Sequence, residues 1–214
     1  MRLFAFMSLK GGVGKTSLLA AFAKRLPGRV ALLDLDFGNP VLHIALGINH
    51  SVHRALDGFK IAPVPWEKGE LASLALLTIP RGILRQSSEH RAQVIEDFVT
   101  SIAWQPYDWL LIDTAPSLSQ ENEAILKLLD PEVIIVSEGG PLAREGVVRT
   151  VLFLETVKAK LLGIVGNRGF NAEALCEELG VTDLGTVPLA SSPEKIEVPD
   201  FTRFPSKRAG EPGA

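Results

Sequence analysis

The chain has 214 residues, 46% hydrophobic and 22% charged, proportions that suit one globular domain with a substantial buried core. Its 22 basic and 25 acidic residues leave a net charge of −3, which excludes a strongly basic nucleic-acid binder; nucleic acid is not indicated as a partner, although a local basic patch is allowed. A single cysteine, Cys176, excludes an intrachain disulfide and fits a reducing cytoplasm.

The elements alternate along the chain. A strand over Leu3–Met7 precedes a helix over Leu18–Leu26, in which Leu18, Leu19, Phe22 and Leu26 fall on one face. A second apolar run, Val30–Leu35, follows. The stretch from His43 to Arg91 is less regular and holds a strand candidate at Leu74–Ile79. Helical patterns at Arg91–Ala103, Glu121–Leu129, Ala143–Val157 and Ala172–Leu179 then alternate with apolar runs at Trp109–Ile112, Val133–Val136 and Leu161–Val165. Thr186–Val187 is a weak last strand.

Short, nearly unbroken apolar runs suit strands buried on both faces. The alternation predicts a doubly wound α/β fold, a mainly parallel sheet with helices on both faces and ligands at the carboxyl ends of the strands. One domain is expected over residues 1–200. The Pro- and Gly-rich segment 201–214 reads as a poorly ordered tail. Ahead of Ser8 stand one arginine and about five apolar residues, too few for a secretory signal. The longest greasy window, Leu71–Pro80, falls short of the roughly twenty residues a membrane span needs. A soluble cytoplasmic protein is therefore expected. His50 and His53 lack a third or fourth metal ligand nearby in sequence and read as loop histidines.

Residues 8–17, Ser-Leu-Lys-Gly-Gly-Val-Gly-Lys-Thr-Ser, lie between the first strand and the first helix. Gly11, Gly12 and Gly14 lack side chains, so backbone N–H groups approach an anion closely, and the helix start adds partial positive charge. The phosphate-binding set is then Gly11, Gly12, Val13, Gly14, Lys15, Thr16 and Ser17. Lys15 would reach the β- and γ-phosphates, and the Thr16 hydroxyl would ligate Mg2+. The ordinary pattern G-x-x-x-x-G-K-[ST] wants glycine at position 9, where Leu9 stands, and a second lysine, Lys10, sits at the loop entrance.

Two strand ends supply carboxylates. The run ending Asp34-Leu-Asp36 would bring carboxylates beside the phosphates; the alternative for Asp36 is a cap on the turn at Gly38-Asn39. Asp113 follows four large apolar residues, the Walker B arrangement, in which a carboxylate acts at the Mg2+. A third strand ends at Asn167-Arg168. The Asn167 carboxamide offers the donor and acceptor that match adenine, and no carboxylate follows to read guanine, so ATP is favoured. Asn167 as a plain turn residue is the alternative.

The K-G-G-x-G-K-T loop resembles the deviant Walker A motif of the ParA, MinD and Mrp group of P-loop ATPases. D-x-D, Asp113-Thr-Ala-Pro116, Asn167-Arg168 and Leu184–Leu189 extend that resemblance from Met1 to about Pro205. It implies a Mg2+-dependent ATPase switch that closes as a homodimer in the ATP state and recruits a protein partner. Lys10 would cross to the other subunit's nucleotide, Lys15 would hold phosphate, and Asp36 would orient water and help hold Mg2+ with Thr16 and Asp113. Asn167 and Arg168 would lie at the base. The C-x-x-C of Mrp-type iron–sulfur carriers is missing, as is the basic membrane helix of MinD-type proteins. The resemblance therefore leaves open a positioning or partitioning ATPase, an iron–sulfur assembly ATPase, and a regulator with little turnover.

Overall fold

Apolar runs become strands β1 (Arg2–Met7), β2 (Val30–Leu35), β3 (Ala62–Val64), β4 (Leu74–Leu77), β5 (Trp109–Thr114), β6 (Glu132–Ser137), β7 (Lys160–Gly166), β8 (Asp183–Thr186) and β9 (Lys207–Arg208). Between them lie α1 (Lys15–Ala23), α2 (Leu42–Ala45), α3 (Ser88–Ser101), α4 (Gln120–Leu129), α5 (Pro141–Thr156) and α6 (Glu173–Leu179). The computed structural model describes residues 1–36, 39–47, 62–64, 74–77, 85–101, 107–192 and 195–210. His50 and His53 lie outside them.

Among the described residues the strands form one sheet in the order β3-β4-β2-β5-β1-β6-β7-β8, with β9 also pairing β7. All pairings are parallel except β3 with β4 and β9 with β7. β1 lies between β5 and β6, where the chain turns from one half of the sheet to the other. The loop after β1 therefore opens into the crevice at the strand carboxyl ends.

Successive strand residues face opposite sides, and each side carries its own core. Ala5, Met7, Leu33, Ile112 and Ile135 pack with Ile95 and Val99 of α3, Ile125 of α4, Val147 and Leu154 of α5 and Leu175 of α6. Phe4, Phe6, Leu32, Leu111 and Ile134 pack with Leu18, Leu19 and Phe22 of α1 and Leu42 of α2. Helices on both faces make the fold doubly wound, as the alternation predicts.

The segment 201–214 departs from the expected poorly ordered tail over its described part. Residues Phe201–Arg203 form a 3-10 turn, and β9 pairs with Lys160 and Leu161 of β7. The reason is apolar area on the α1 face. Among the described helices only α1 and α2 cover that face, and Phe201 fills the gap with its ring 4.9 Å from Phe22 and 6.0 Å from Phe6. Arg2 fastens the turn, donating to the carbonyls of Thr202 at 2.6 Å and Phe204 at 3.1 Å. Residues 211–214 lie outside the described residues. No described helix is long and apolar enough to cross a membrane.

Candidate functional site

The chain leaves β1 at Met7 and enters α1 at Lys15 through the glycine-rich loop. Gly14 is the N-cap of α1, left-handed at φ 87°, and no side chain caps the helix. Only glycine fits there, because a Cβ would lie 2.4 Å from the Asn167 Nδ2. That carboxamide, buried at the end of β7, donates to the Val13 carbonyl at 2.7 Å. Gly166 makes the turn behind it possible, since a Cβ there would stand 1.8 Å from the Phe170 carbonyl oxygen. Asn167, expected at the base, thus has its amide nitrogen tying the β7 loop to the phosphate loop. Gly12 is also left-handed, at φ 78°, and Gly11 faces Pro116.

Lys15, Thr16 and Asp113 come together beneath the loop. Lys15 donates to Asp113 Oδ1, and the Thr16 hydroxyl donates to Asp113 Oδ2 at 2.6 Å. Asp113 is 1% exposed and Lys15 is 6% exposed, so the pair is shielded from water. Ser17 lies in the same first turn of α1.

Asp34 is the register partner of Asp113 on the neighbouring strand. Its carboxylate accepts the backbone N–H groups of Asp36 at 3.0 Å and Leu42 at 3.1 Å. Burial first, and then the charge of Asp113, push it up to about 7, against the pull of those two N–H groups and Lys15. Asp36 takes the turn-capping role in this structure: its Oδ1 accepts the Asn39 N–H at 3.1 Å. The partners of Asp113 and Asp34 differ accordingly. One binds a lysine and a hydroxyl, while the other fastens the loop after β2.

A second cluster sits at the ends of β6 and β7. Lys10 donates to Glu138 Oε1, and Arg168 donates to Glu138 Oε2 at 2.5 Å. The hydrogen bond from Lys10, with both cations nearby, holds the Glu138 carboxyl below the usual range. Lys10, expected to reach outward, is thus paired within its own chain, and Arg168 shares that partner. Glu138 escaped the sequence reading because it belongs to no motif. The available signal was its place one residue beyond a buried strand, where Asp36 also stands.

The loop after β5 is braced by Asn122 of α4, 1% exposed, which donates to the carbonyls of Ala115 at 3.3 Å and Ser117 at 2.7 Å. Thr114 Oγ1 donates to the Phe6 carbonyl at 2.9 Å, joining that loop to β1. The site therefore offers an anion the uncapped start of α1 and Lys15, and a hard cation the oxygens of Thr16 and Asp113. Those residues fit a magnesium–phosphate pair.

Residues 1–180 match the family described as ParA, NUBPL iron-transfer P-loop NTPase. The cytosolic Fe-S cluster assembly factor CFD1 of Candida glabrata is 30% identical over 86% of this chain and 74% of its own length. CFD1 of Eremothecium gossypii is 33% identical over 86% and 75%. Among solved structures, a nucleotide-binding protein from Archaeoglobus fulgidus in complex with ADP is 26% identical, with a TM-score of 0.69 over 97% of this chain and 93% of that one. MinD in the MinC:MinD cell division complex of Aquifex aeolicus has a TM-score of 0.66 over 89% and 83%, at 23% identity, a likeness of fold.

Proposed function

The chain belongs to the ParA/NUBPL family of P-loop NTPases, and from that premise we propose that it binds and hydrolyses ATP as a switch between one-copy and two-copy states. The observation that carries this reading is the buried Lys15–Asp113–Thr16 constellation beneath the uncapped start of α1.

Backbone N–H groups of Gly11 to Thr16 hold the phosphates, and Lys15 exchanges Asp113 for β- and γ-phosphate oxygens. Thr16 and Asp113, with Asp36, would hold the Mg2+, which when bound offsets charge developing on the phosphates. Asp36 leaves its turn-capping contact and orients a water. The water oxygen bonds to the γ-phosphorus as the bridging bond to ADP breaks. Lys10 reaches the γ-phosphate of a second copy, stabilises charge late in transfer and so links turnover to pairing. Asn167 keeps the β7 loop against the phosphate loop, with Arg168 beside the base. Leu142 and Leu189, 79% and 74% exposed at the same end of the sheet, suit a face that another protein covers. An unidentified partner recruited by the two-copy state completes the switch, in the cytoplasm.

The names of the curated relatives favour a second reading, iron–sulfur cluster assembly. Thiolate ligation of a cluster is poorly served by these 214 residues, whose one cysteine is Cys176. That thiol is 2% exposed, directs its Sγ to the Thr182 carbonyl at 3.7 Å and is pushed up to about 12 by burial and then by Asp183. Two copies would bring two such thiols, where an all-cysteine cluster needs four.

Phosphate release measured at rising protein concentration tests the proposal. Turnover per chain should climb and then level, and Lys10→Ala should suppress it while retaining nucleotide binding. Turnover independent of concentration, or untouched by Lys10→Ala, refutes the pairing. Anaerobic iron and sulfide should give no cluster absorption; absorption that vanishes in Cys176→Ser would instead favour the cluster reading.

A further inference from the structure

Glu138 stands at the carboxyl end of β6, one residue beyond Ser137, whose carbonyl accepts the Asn167 N–H at 2.7 Å. That bond fixes the β6 end beside the β7 loop. The Glu138 side chain is 17% exposed and bridges two cations, Lys10 on one oxygen and Arg168 on the other. Lys10 comes from the entrance of the phosphate loop, and Arg168 from the loop that meets Gly14 through Asn167. One carboxylate therefore restrains both sides of the site's mouth.

We propose that Glu138 is a positioning residue that parks Lys10 on its own chain and must release it before that lysine can serve a second copy's nucleotide. The proposal rests on the pairing reading above and adds its restraint. The two cations share one carboxylate, so departure of Lys10 leaves Glu138 neutralised by Arg168. Release then costs one partly exposed ion pair and leaves no buried charge stranded. Lys10 and Arg168 are 40% and 49% exposed at the side chain, which keeps the restraint weak enough for association to break it. A much stronger pair would hold the lysine permanently, and none would leave it extended in the single chain.

The carboxylate has a geometric cause as well. The loop entrance packs closely on α5: a Cβ at Gly146 would touch Leu9 Cβ at 3.4 Å and the Lys10 backbone nitrogen at 3.8 Å. Lys10 thus leaves the backbone from a fixed point beside β6, with Glu138 within its reach.

Sedimentation of the magnesium complex of a non-hydrolysable ATP analogue with wild type, Glu138→Gln, Lys10→Ala and the double variant tests this. The amide keeps the shape and removes the charge. One exposed pair shifts an equilibrium by about 2- to 5-fold, and two are released per symmetric pair, so Glu138→Gln should tighten self-association by roughly 4- to 25-fold. Glu138→Asp should stay near wild type. In the Lys10→Ala background, Glu138→Gln should change association less than about 2-fold.

Weaker or unchanged association of Glu138→Gln overturns the proposal, and so does the same gain with Lys10 absent, which would mean general charge at the face. Calorimetry with MgADP is the control that separates the two levels. Wild type that binds no nucleotide refutes the underlying reading, whereas wild type that binds and pairs normally, with Glu138→Gln unaltered, refutes the tether alone.

Discussion

Asp34 accepts two backbone N–H groups in a setting 1% exposed to water, next to the carboxylate of Asp113. With a folded-state value near 7 against 3.8 in the unfolded chain, the folded protein retains a proton that the unfolded chain has released between those limits. This stabilisation is complete below pH 3.8 and is lost as pH rises through 7, so Asp34 makes the fold less stable toward neutral pH. A carboxamide at this position would not titrate. Urea unfolding without nucleotide should show the stability of Asp34→Asn, relative to wild type, rising by roughly 2–3 kcal/mol between about pH 5 and 8. A constant difference would contradict the raised value. The D-x-D pattern made both aspartates visible in the sequence but could not divide their labour. That division depends on where β2 ends: Asp34 is still in the strand, in register with Asp113, whereas Asp36 lies one residue beyond it, in the turn it caps. Lys15, Thr16 and Asp113 were legible because phosphate chemistry restricts what can stand at those positions. Glu138 was not, since any residue satisfies a strand end until the fold brings two cations to it.

At the scale of elements, continuous apolar runs marked β1, β2 and β4 to β7; where both faces are buried, as in β2 and β5, no polar register confuses the pattern. β3 holds Pro63 and pairs antiparallel on β4, and nothing in its three residues distinguishes it from a loop. The order of strands was illegible for a different reason: neighbours in the sheet are far apart in the chain, so β5 enters between β1 and β2 without a local signal. The C-terminal segment misled through composition. Proline and glycine exclude a long helix there but do not prevent one aromatic ring from plugging a core. Phe201 is fully buried against Phe6 and Phe22. Phe201→Ala should therefore lower unfolding free energy by about 3–5 kcal/mol, the range for large aromatic truncations in a packed core. Chemical denaturation measures it, and a loss below about 1 kcal/mol would mean the segment lies only loosely on the sheet.

The whole molecule converges on one point. Loops from β1, β2, β5, β6 and β7 meet at the crevice, and their strands include the centre of the sheet and both its halves. Contacts already cross between them: Lys15 and Thr16 to Asp113, Thr114 to Phe6, Asn167 to Val13 and Lys10 to Glu138. A ligand gripped by several of these loops binds only when both halves are folded, so its binding free energy adds to the stability of the entire sheet. At 100 times its dissociation constant, one ligand per chain contributes about 2.7 kcal/mol. For a domain of this size that corresponds to an increase in Tm of roughly 5–10 °C. Thermal unfolding with and without MgATP should show that increase in wild type and less than about 2 °C in Lys15→Ala, whose remaining loop lacks the cation that meets the β- and γ-phosphates. Each protein is compared with its own ligand-free Tm, because deleting Lys15 also strands Asp113 and lowers the starting stability. An equal shift in both would mean that the nucleotide binds away from the loop after β1.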